Sequence, residues 1–286
     1  MERHSGLRDA AWEQIKDLLP RGRTRGGRWV DHRMMIDAVA WKYRTGAPWR
    51  DLPARFGPWQ TVYNRFRRWA RDGTWNSLLR ELQAQADSAG EIDWLVSVDS
   101  TVVRAHQHAA GARIHPETTN EPADHGLGRS RGGLTTKIHL AADGRCRPLA
   151  ILISAGHRHD SLFFEAVIAR IRVPRTGAGR PRTRPRQVSA DRAYSSRAIR
   201  QYLRKRGIKA LIPEPSDQAA NRKRRGRNGG RPPAFDRDGY KIRNTVERCI
   251  GRMKQWRGIA MRTDKLATHY EAAVVLAATM LWTMRR

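Results

Sequence analysis

The chain has 286 residues, enough for one large domain or two modest ones with a buried core. Its 56 Lys and Arg residues outnumber 27 Asp and Glu residues, which leaves a formal net charge of +29. This charge argues against an enzyme for small neutral substrates and against a scaffold protein without a polyanionic partner. Nucleic acid is the expected partner, and a membrane surface is the second choice.

The apolar stretches and the number of cysteines indicate the cellular compartment of the protein. No stretch reaches the roughly 18 apolar residues of a membrane-spanning helix, and the longest, 272–282, predicts a buried helix. The charged N-terminus lacks the apolar segment of a signal peptide. Cys146 and Cys249 are too few for a disulfide framework or a paired-cysteine zinc site. We expect a reducing, cytoplasmic compartment.

Two regions of different pattern follow one another along the chain. Apolar residues at helical spacing predict helices over 7–19 and 31–43 and an all-helical region up to residue 90. From residue 91 onward, β-branched runs alternate with helical stretches. We therefore expect two domains, a helical DNA-binding domain at 1–90 and an α/β domain at 91–286.

Residues 51–73 predict a short helix, a turn at Gly57-Pro58 and a second helix. The second helix has an apolar face and an outer polar and basic face. That outer face carries Gln60, Asn64, Arg67 and Arg68. The arrangement is typical of a DNA-reading helix-turn-helix. A helical hairpin with a solvated basic face has the same pattern and remains the alternative.

The α/β region predicts a sheet flanked by helices. A β-branched run at 94–103 is typical of a central strand, and two alternating segments predict a hairpin. The hairpin strands are 133–144 and 147–156, and further strands are expected at 187–194 and 209–213. Helices are expected at 160–171, 195–205, 238–256 and 269–284. Two runs rich in Arg, Pro and Gly are expected to lack regular structure: 172–186 and 221–233.

Two carboxylates occupy strand positions that usually hold apolar residues. Asp99 lies within the central β-branched run, and Asp191 ends a later one. Burying a carboxylate there is costly unless it is paired or binds a cation. For Asp191, a structural role in capping a strand-to-helix loop remains the alternative. The histidines of 106–108 and 157–159 lack helical spacing and favour loop or phosphate contacts over zinc.

A stripe of polar residues runs along the predicted helix at 238–256. At 100° per residue, Tyr240, Arg243, Glu247 and Lys254 share an arc of roughly 60°, beside an apolar flank. An Arg–Glu pair four residues apart is by itself an ordinary surface ion pair. The added Tyr and Lys, together with the two strand carboxylates, favour an active site.

The spacing Tyr240-x2-Arg243-x3-Glu247-x6-Lys254 resembles the Y-R-E-K signature of DDE transposases from bacterial insertion sequences. The likeness is closest to the insertion-sequence-five branch and covers nearly the whole chain. The segments that carry it are WRDLPARFGPWQTVYNRFRRW, VSVDSTVVRAHQHAAGA, GRSRGGLTTKIHLAADG, SADRAYSS and RGIAMRTDK.

The resemblance implies a ribonuclease-H-like catalytic domain with a mixed sheet, preceded by a small helix-turn-helix-type domain. It implies that Asp99, Asp191 and Glu247 are catalytic and hold two Mg²⁺ ions, for which Mn²⁺ can substitute. The signature residues Tyr240, Arg243 and Lys254 would contact DNA phosphates.

The implied function is that of a nucleoid-associated bacterial transposase. It would bind terminal inverted repeats, cleave at the ends and join the 3′-OH to target DNA by two-metal phosphoryl transfer, as a homodimer or higher assembly on double-stranded DNA. Two alternatives remain: a ribonuclease-H-like nuclease without strand transfer, and a catalytically silent, transposase-derived DNA-binding repressor. Inverted repeats beside the gene would favour the transposase.

Overall fold

A computed structural model of the chain describes residues 6–20, 31–111 and 121–284. The N-terminal part is helical, as predicted. Its helices are α1 (Asp9–Ile15), α2 (His32–Thr45), α3 (Trp59–Arg71) and α4 (Thr74–Ser88). The Asp31 carboxylate caps α2 by accepting the Met34 amide, and Gly46 ends the helix with φ 74°.

The segment before α3 differs from the prediction. Residues Trp49–Asp51 and Ala54–Phe56 form two single 3₁₀ turns instead of one α-helix. Pro53 separates the turns, because its ring removes an amide donor and clashes with the preceding turn of a helix. The α-helix that precedes α3 is therefore α2, and the two are joined by a longer connection than the predicted tight turn.

The second part contains one mixed sheet. Its strands are β1 (Leu95–Ala105), β2 (Gly128–Ser130), β3 (Gly133–Ala142), β4 (Pro148–Ala155), β5 (Gln187–Ser189), β6 (Lys209–Leu211) and β7 (Met261–Arg262). The five principal strands lie in the order β4-β3-β1-β5-β6. β3 is antiparallel to β1 and β4, whereas β5 and β6 run parallel to β1. This is the ribonuclease-H-like arrangement that the resemblance implies.

Helices surround the sheet and follow it in the chain. They are α5 (Gln107–Ala110), α6 (Phe164–Arg170), α7 (Arg197–Lys205), α8 (Ser216–Arg224), α9 (Arg237–Tyr240), α10 (Asn244–Lys254), α11 (Arg257–Ala260) and α12 (Ala267–Trp282). The predicted helix at 238–256 is thus two α-helical segments, joined by a 3₁₀ turn at Lys241–Arg243.

One helix joins the two parts of the molecule. α12 is apolar on nearly every side and packs on both α4 and β4. The side chains of Gln83 on α4 and Trp282 on α12 both donate to the carbonyl oxygen of Pro148, at 3.1 and 2.7 Å. A single hydrophobic cluster therefore runs from Leu7 to Trp282. The division at residue 90 stays a prediction.

The two basic runs have more structure than predicted. Val173 and Arg182 pair across the first run in an antiparallel bridge, and α8 overlaps the second. The predicted strand at 187–194 is also shorter, because β5 stops at Ser189 and a 3₁₀ turn begins at Arg192. Within the described residues, no helix is long and apolar enough to cross a membrane.

Candidate active site

The sheet places Asp99 and Asp191 at the same end of the paired region of β1 and β5. Parallel β1 and β5 are paired up to Ser97 and Ser189, and each aspartate follows two residues later. Beyond the end of β5, β1 has no strand partner on that side until β7 pairs with Arg104 and Ala105. The Asp191 carboxylate accepts the Ala193 amide at 2.9 Å and so caps the following turn, which is the structural role left open above.

Asp99 lies in a partly desolvated position. Its Oδ1 accepts the Ser100 amide at 2.8 Å, and its side chain is 18 % exposed. Burial raises the pKa of Asp99 to about 6, and the negative charges of Asp191 and Glu247 act in the same direction. The Ser100 hydrogen bond and the positive charge of Arg243 partly oppose this rise.

Glu247 reaches the site from the first turn of α10. Arg243 donates to Glu247, and its Nη2 lies 3.7 Å from Oδ2 of Asp99. The start of α10 is fixed to β1 through Thr245, whose hydroxyl donates to Ser97 Oγ at 3.3 Å. Ser97 in turn donates to the carbonyl oxygen of Ile242 at 3.2 Å. The arginine therefore links the helix carboxylate to the strand carboxylate.

The other two residues of the stripe flank the carboxylates. Tyr240 donates its hydroxyl to the carbonyl oxygen of Ala190 at 3.4 Å, directly beside Asp191. Lys254 donates to the carbonyl oxygen of Val102 at 3.0 Å, farther along β1. Burial raises the pKa of Tyr240 and lowers that of Lys254. Arg243 and Lys254 thus lie along β1, whereas Tyr240, which precedes the 3₁₀ turn, contacts the residue that follows β5.

The donor set suits hard divalent cations, which prefer carboxylate oxygens. The raised pKa of Asp99 reflects burial and neighbouring negative charge, which a bound cation would offset. Across 6–20, 31–111 and 121–284, however, no three His, Cys, Asp or Glu side chains lie close enough together to hold one ion. The Arg243 guanidinium contacts Glu247 and Asp99 instead. The residues fit divalent cations in chemistry and charge, but their side chains must rearrange to bind them.

Two residues beside the site were missed by the sequence analysis. Tyr194 is buried, and burial raises its pKa with Asp160, Asp99 and Asp191 as negative neighbours. Asp160 forms an ion pair with Lys137 at 2.8 Å. Asp160 begins a 3₁₀ turn after a loop, where the strand pattern that singled out Asp99 does not apply.

The predicted DNA-reading residues lie elsewhere, on α3. Val62, Phe66 and Trp69 are buried on its inner face. The outer face leaves all four predicted contacts exposed: Gln60, Asn64, Arg67 and Arg68. They form a surface of their own in the helical part. This exposure is compatible with both the DNA-reading helix and the solvated hairpin considered above.

Comparison with known proteins assigns both parts of the chain. Residues 7–79 match the family model described as "Putative transposase of IS4/5 family", and residues 91–282 match the family model "Transposase DDE domain".

Two relatives and one solved structure illustrate the likeness. The "Putative transposase for insertion sequence element IS402" of Burkholderia cepacia is 31% identical over 173 residues, 60% of this chain and 72% of the relative. An uncharacterized protein of Sinorhizobium fredii, y4sN, is 46% identical over 110 residues, 38% of this chain and 83% of the relative. A structure of the Mos1 transposase paired-end complex with left transposon end aligns at 12% identity and TM-score 0.25, covering 83% of this chain and 82% of that one.

The DDE domain model spans most of the chain and covers Asp99, Asp191 and Glu247. The chain therefore belongs to the DDE transposases of insertion sequences, enzymes that cleave DNA and transfer its strands with the help of divalent metal ions.

Proposed function

We propose that Asp99, Asp191 and Glu247 are the catalytic carboxylates of this transposase. With them the enzyme cleaves DNA at the terminal inverted repeats of its insertion sequence and joins the freed 3′-OH to target DNA. The observation that supports this most is that Arg243 contacts both Asp99 and Glu247, while the register of β1 and β5 places Asp191 at the same end of this strand pair as Asp99.

The three carboxylates would hold two Mg²⁺ ions, and Mn²⁺ would substitute. Ions bound there would supply the positive charge that activates an attacking water or 3′-hydroxyl and that stabilises the leaving oxygen of an in-line displacement. Since the same displacement serves for hydrolysis and for joining, one site performs both steps. No protein nucleophile is required, and Tyr240 serves as a DNA contact.

In this proposal Arg243 pairs either with the carboxylates of the site or with a DNA phosphate. In the structure it pairs with Glu247 and approaches Asp99. A guanidinium also pairs with phosphate through two parallel hydrogen bonds. When a DNA phosphate takes Arg243, the two carboxylates lose their counter-ion and become available to a cation. Tyr240 and Lys254, on either side, contact the neighbouring phosphates.

The remaining DNA contacts are of two kinds, to phosphates and to bases. Basic side chains neutralise phosphates and position the duplex, whereas base contacts select a sequence. On α3 we assign sequence selection to Gln60 and Asn64 and phosphate contacts to Arg67 and Arg68. Because two ends must be cut and joined together, the active species is a homodimer or larger assembly on double-stranded DNA. It acts in the bacterial cytoplasm, on the nucleoid.

The mass of the complex that the protein forms on end DNA tests whether the active species contains two or more chains. Light scattering is expected to give at least two chains for each pair of bridged ends. A cleaving complex that holds one chain would contradict it.

A joining assay tests the chemistry of the proposal. A duplex of the element's end, with its 3′-OH already exposed, is incubated with a supercoiled plasmid, Mg²⁺ and the full chain. Covalent joining is expected with the wild type and not with Asp191→Asn, while both bind the end duplex. Asp238→Asn is the matched control, since the Asp238 side chain is 90% exposed and pairs only with the similarly exposed Lys241 among the described residues.

The outcomes separate the candidate functions. Cleavage of the ends without any joining would favour a nuclease. End binding without cleavage or joining would favour a repressor. Joining by Asp191→Asn at the wild-type rate would contradict the assignment of the catalytic acids.

A further inference from the structure

A second concave site lies outside the carboxylate centre, where the two parts of the molecule meet. It is a cleft of about 700 Å³ between α2, the beginning of α3 and the segment 263–266 that precedes α12. This volume lies within the range of small-molecule and nucleotide pockets. The proposed mechanism assigns the cleft no role.

Aromatic side chains form one wall of the cleft. Trp59 and Tyr63 lie one turn apart on α3, with ring centroids 6.4 Å apart, and Trp49 lies 5.3 Å from Tyr63. The three rings are only partly buried, so part of each is open to the cleft. A cluster of this kind, left open beside a basic surface, provides faces on which a flat aromatic ligand can stack.

Cations surround this wall. Arg50 lies over the ring of Trp59 at 5.9 Å, and Arg67 lies over Tyr63 at 5.4 Å. Lys42 is buried at the base of the cleft, with its Nζ 3.9 Å from the Tyr43 ring centroid. The acid of the cleft, Asp264, accepts the Tyr43 hydroxyl at 2.8 Å. The rim therefore favours a ligand that carries both an aromatic ring and negative charge.

The location of the cleft identifies the source of that ligand. Arg67 belongs both to the cleft and to the exposed face of α3 to which we assign DNA contacts. A nucleotide that leaves the base stack of a duplex on α3 would reach the aromatic wall without leaving the strand. A nucleobase stacks on aromatic side chains whatever its sequence, and its phosphate pairs with Arg.

We propose that this cleft binds one unstacked nucleotide of the bound DNA, with its base against Trp59 and Tyr63 and its phosphate at Arg50 and Arg67. The inference rests on the DNA-binding part of the proposed function. It adds a nucleotide site that is separate from the carboxylates and accepts any base.

Two duplexes of equal length test the site. One carries a single unpaired adenosine, and the other carries an abasic nucleotide in the same place, so that both have the same length and phosphate charge and only one offers a base. Binding of the full chain is measured by fluorescence anisotropy at fixed salt. Since an aromatic side chain stacks on a base but not on an abasic sugar, the wild type is expected to prefer the adenosine bulge by about tenfold.

Variants then assign the preference to the cleft. Trp59→Ala is expected to bind both duplexes equally, whereas Trp59→Phe keeps most of the preference because it retains a ring. Tyr63→Leu provides a second variant, should Trp59→Ala fail to fold. Leu162→Ala is the matched control, because Leu162 is 68% exposed and does not line the cleft.

Equal binding of both duplexes by the wild type would overturn the inference, and so would a full preference in folded Trp59→Ala and Tyr63→Leu. These results differ from a failure of the proposed function. A chain that joins end DNA but ignores the unpaired base loses only the cleft assignment, whereas a chain that binds no DNA loses both.

Discussion

At the scale of single residues, Asp99 is a partly desolvated carboxylate with an arginine as its neighbour. Its carboxylate lies on the central strand, and desolvation opposes its ionisation. Arg243 supplies positive charge from α10 and pairs with Glu247 as well. Two acids of the proposed centre, Asp99 and Glu247, thus share one guanidinium, for which DNA phosphates would compete in the proposed function.

The raised pKa of Asp99 predicts a pH-dependent stability. The pKa is about 6 in the folded chain and 3.8 in the unfolded chain, so the folded state binds more protons between these values. In metal-free buffer, ionised Asp99 therefore destabilises the fold increasingly as the pH rises from 4 to 7. Asp99→Asn removes this effect, and its unfolding free energy relative to the wild type is expected to rise by roughly 2 kcal/mol over that range.

Urea unfolding at several pH values, with a chelator present, measures this difference. Asp238→Asn is the control, with an expected difference that does not vary with pH. A constant difference for Asp99→Asn would mean that Asp99 is not desolvated as the structure places it.

The sequence identified some site residues and missed others for physical reasons. Asp99 stands out because it interrupts a β-branched run, and Glu247 because it shares a helical stripe with Arg243. Asp160 and Tyr194 lie within short 3₁₀ turns, where no periodicity distinguishes an inward side chain from an outward one. The contact between Arg243 and Asp99 depends on the packing of α10 on β1, which spacing along the chain does not reveal.

At the scale of elements, α3 has an apolar inner face that the sequence predicts and an exposed outer face whose proposed DNA contacts can be tested by substitution. Arg67→Ala or Arg68→Ala should weaken binding of end DNA and of unrelated DNA about equally. Each should also reduce the slope of log affinity against log salt by about one. Asn64→Ala should instead lower the preference for end DNA, by about 1–3 kcal/mol if it reads a base.

Titrations of both DNAs at several salt concentrations distinguish these effects. Arg80→Ala, an exposed arginine on the neighbouring α4, serves as the control for loss of charge. An unchanged preference in Asn64→Ala and in Gln60→Ala would support the solvated hairpin over the DNA-reading helix.

The basic run 172–186 contacts α4 through the Asp87 carboxylate and through Thr176, whose hydroxyl donates to Ser88 Oγ at 3.3 Å. Asp87 is 5% exposed and lies 3.3 Å from Arg175 and 3.2 Å from Arg182. It also accepts the indole N–H of Trp94 at 2.9 Å, while the Arg182 guanidinium lies 4.0 Å from the Trp94 ring centroid. The run therefore closes over the junction between α4 and β1.

Removing the charge of Asp87 should destabilise the fold. Asp87→Asn leaves both arginines without their partner, although they are exposed enough to regain some water. The expected loss is about 2 kcal/mol of unfolding free energy. Asp238→Asn, an exposed pair, should lose less than about 1 kcal/mol. Equal effects in urea unfolding would show that Asp87 does not hold the run.

The helix α8 could not be predicted from the hydrophobic pattern of the sequence. Its residues are polar on all sides, so no apolar stripe marks it in the sequence. It is held by tertiary contacts instead: Arg222 pairs with Glu214 at 3.0 Å, and Gln218 donates to the carbonyl oxygen of Ser195 at 2.7 Å. Only the packed structure supplies these partners.

At the scale of the whole molecule, the succession of the principal strands along the chain and the α/β class followed from the sequence pattern, whereas the ribonuclease-H-like arrangement of the sheet was implied by the family resemblance. The sharing of one core between the helical part and the sheet did not follow from the pattern, because α12 is apolar in every direction and its neighbours cannot be read from its own residues. Removing residues 1–90 would uncover the face of α12 that packs on α4. DNA recognition is therefore better tested by substitution on α3 than by truncation.

The central claim is that the three acids at the edge of β1 catalyse DNA cleavage with divalent metal. A labelled duplex carrying the end of the source element and its flank, incubated with Mg²⁺ and the full chain, tests it most directly. The wild type and Glu13→Gln, whose carboxylate is 60% exposed on α1, are expected to nick the duplex at the end. Glu247→Gln is expected to bind the duplex and leave it intact, and nicking by this variant at the wild-type rate would contradict the claim.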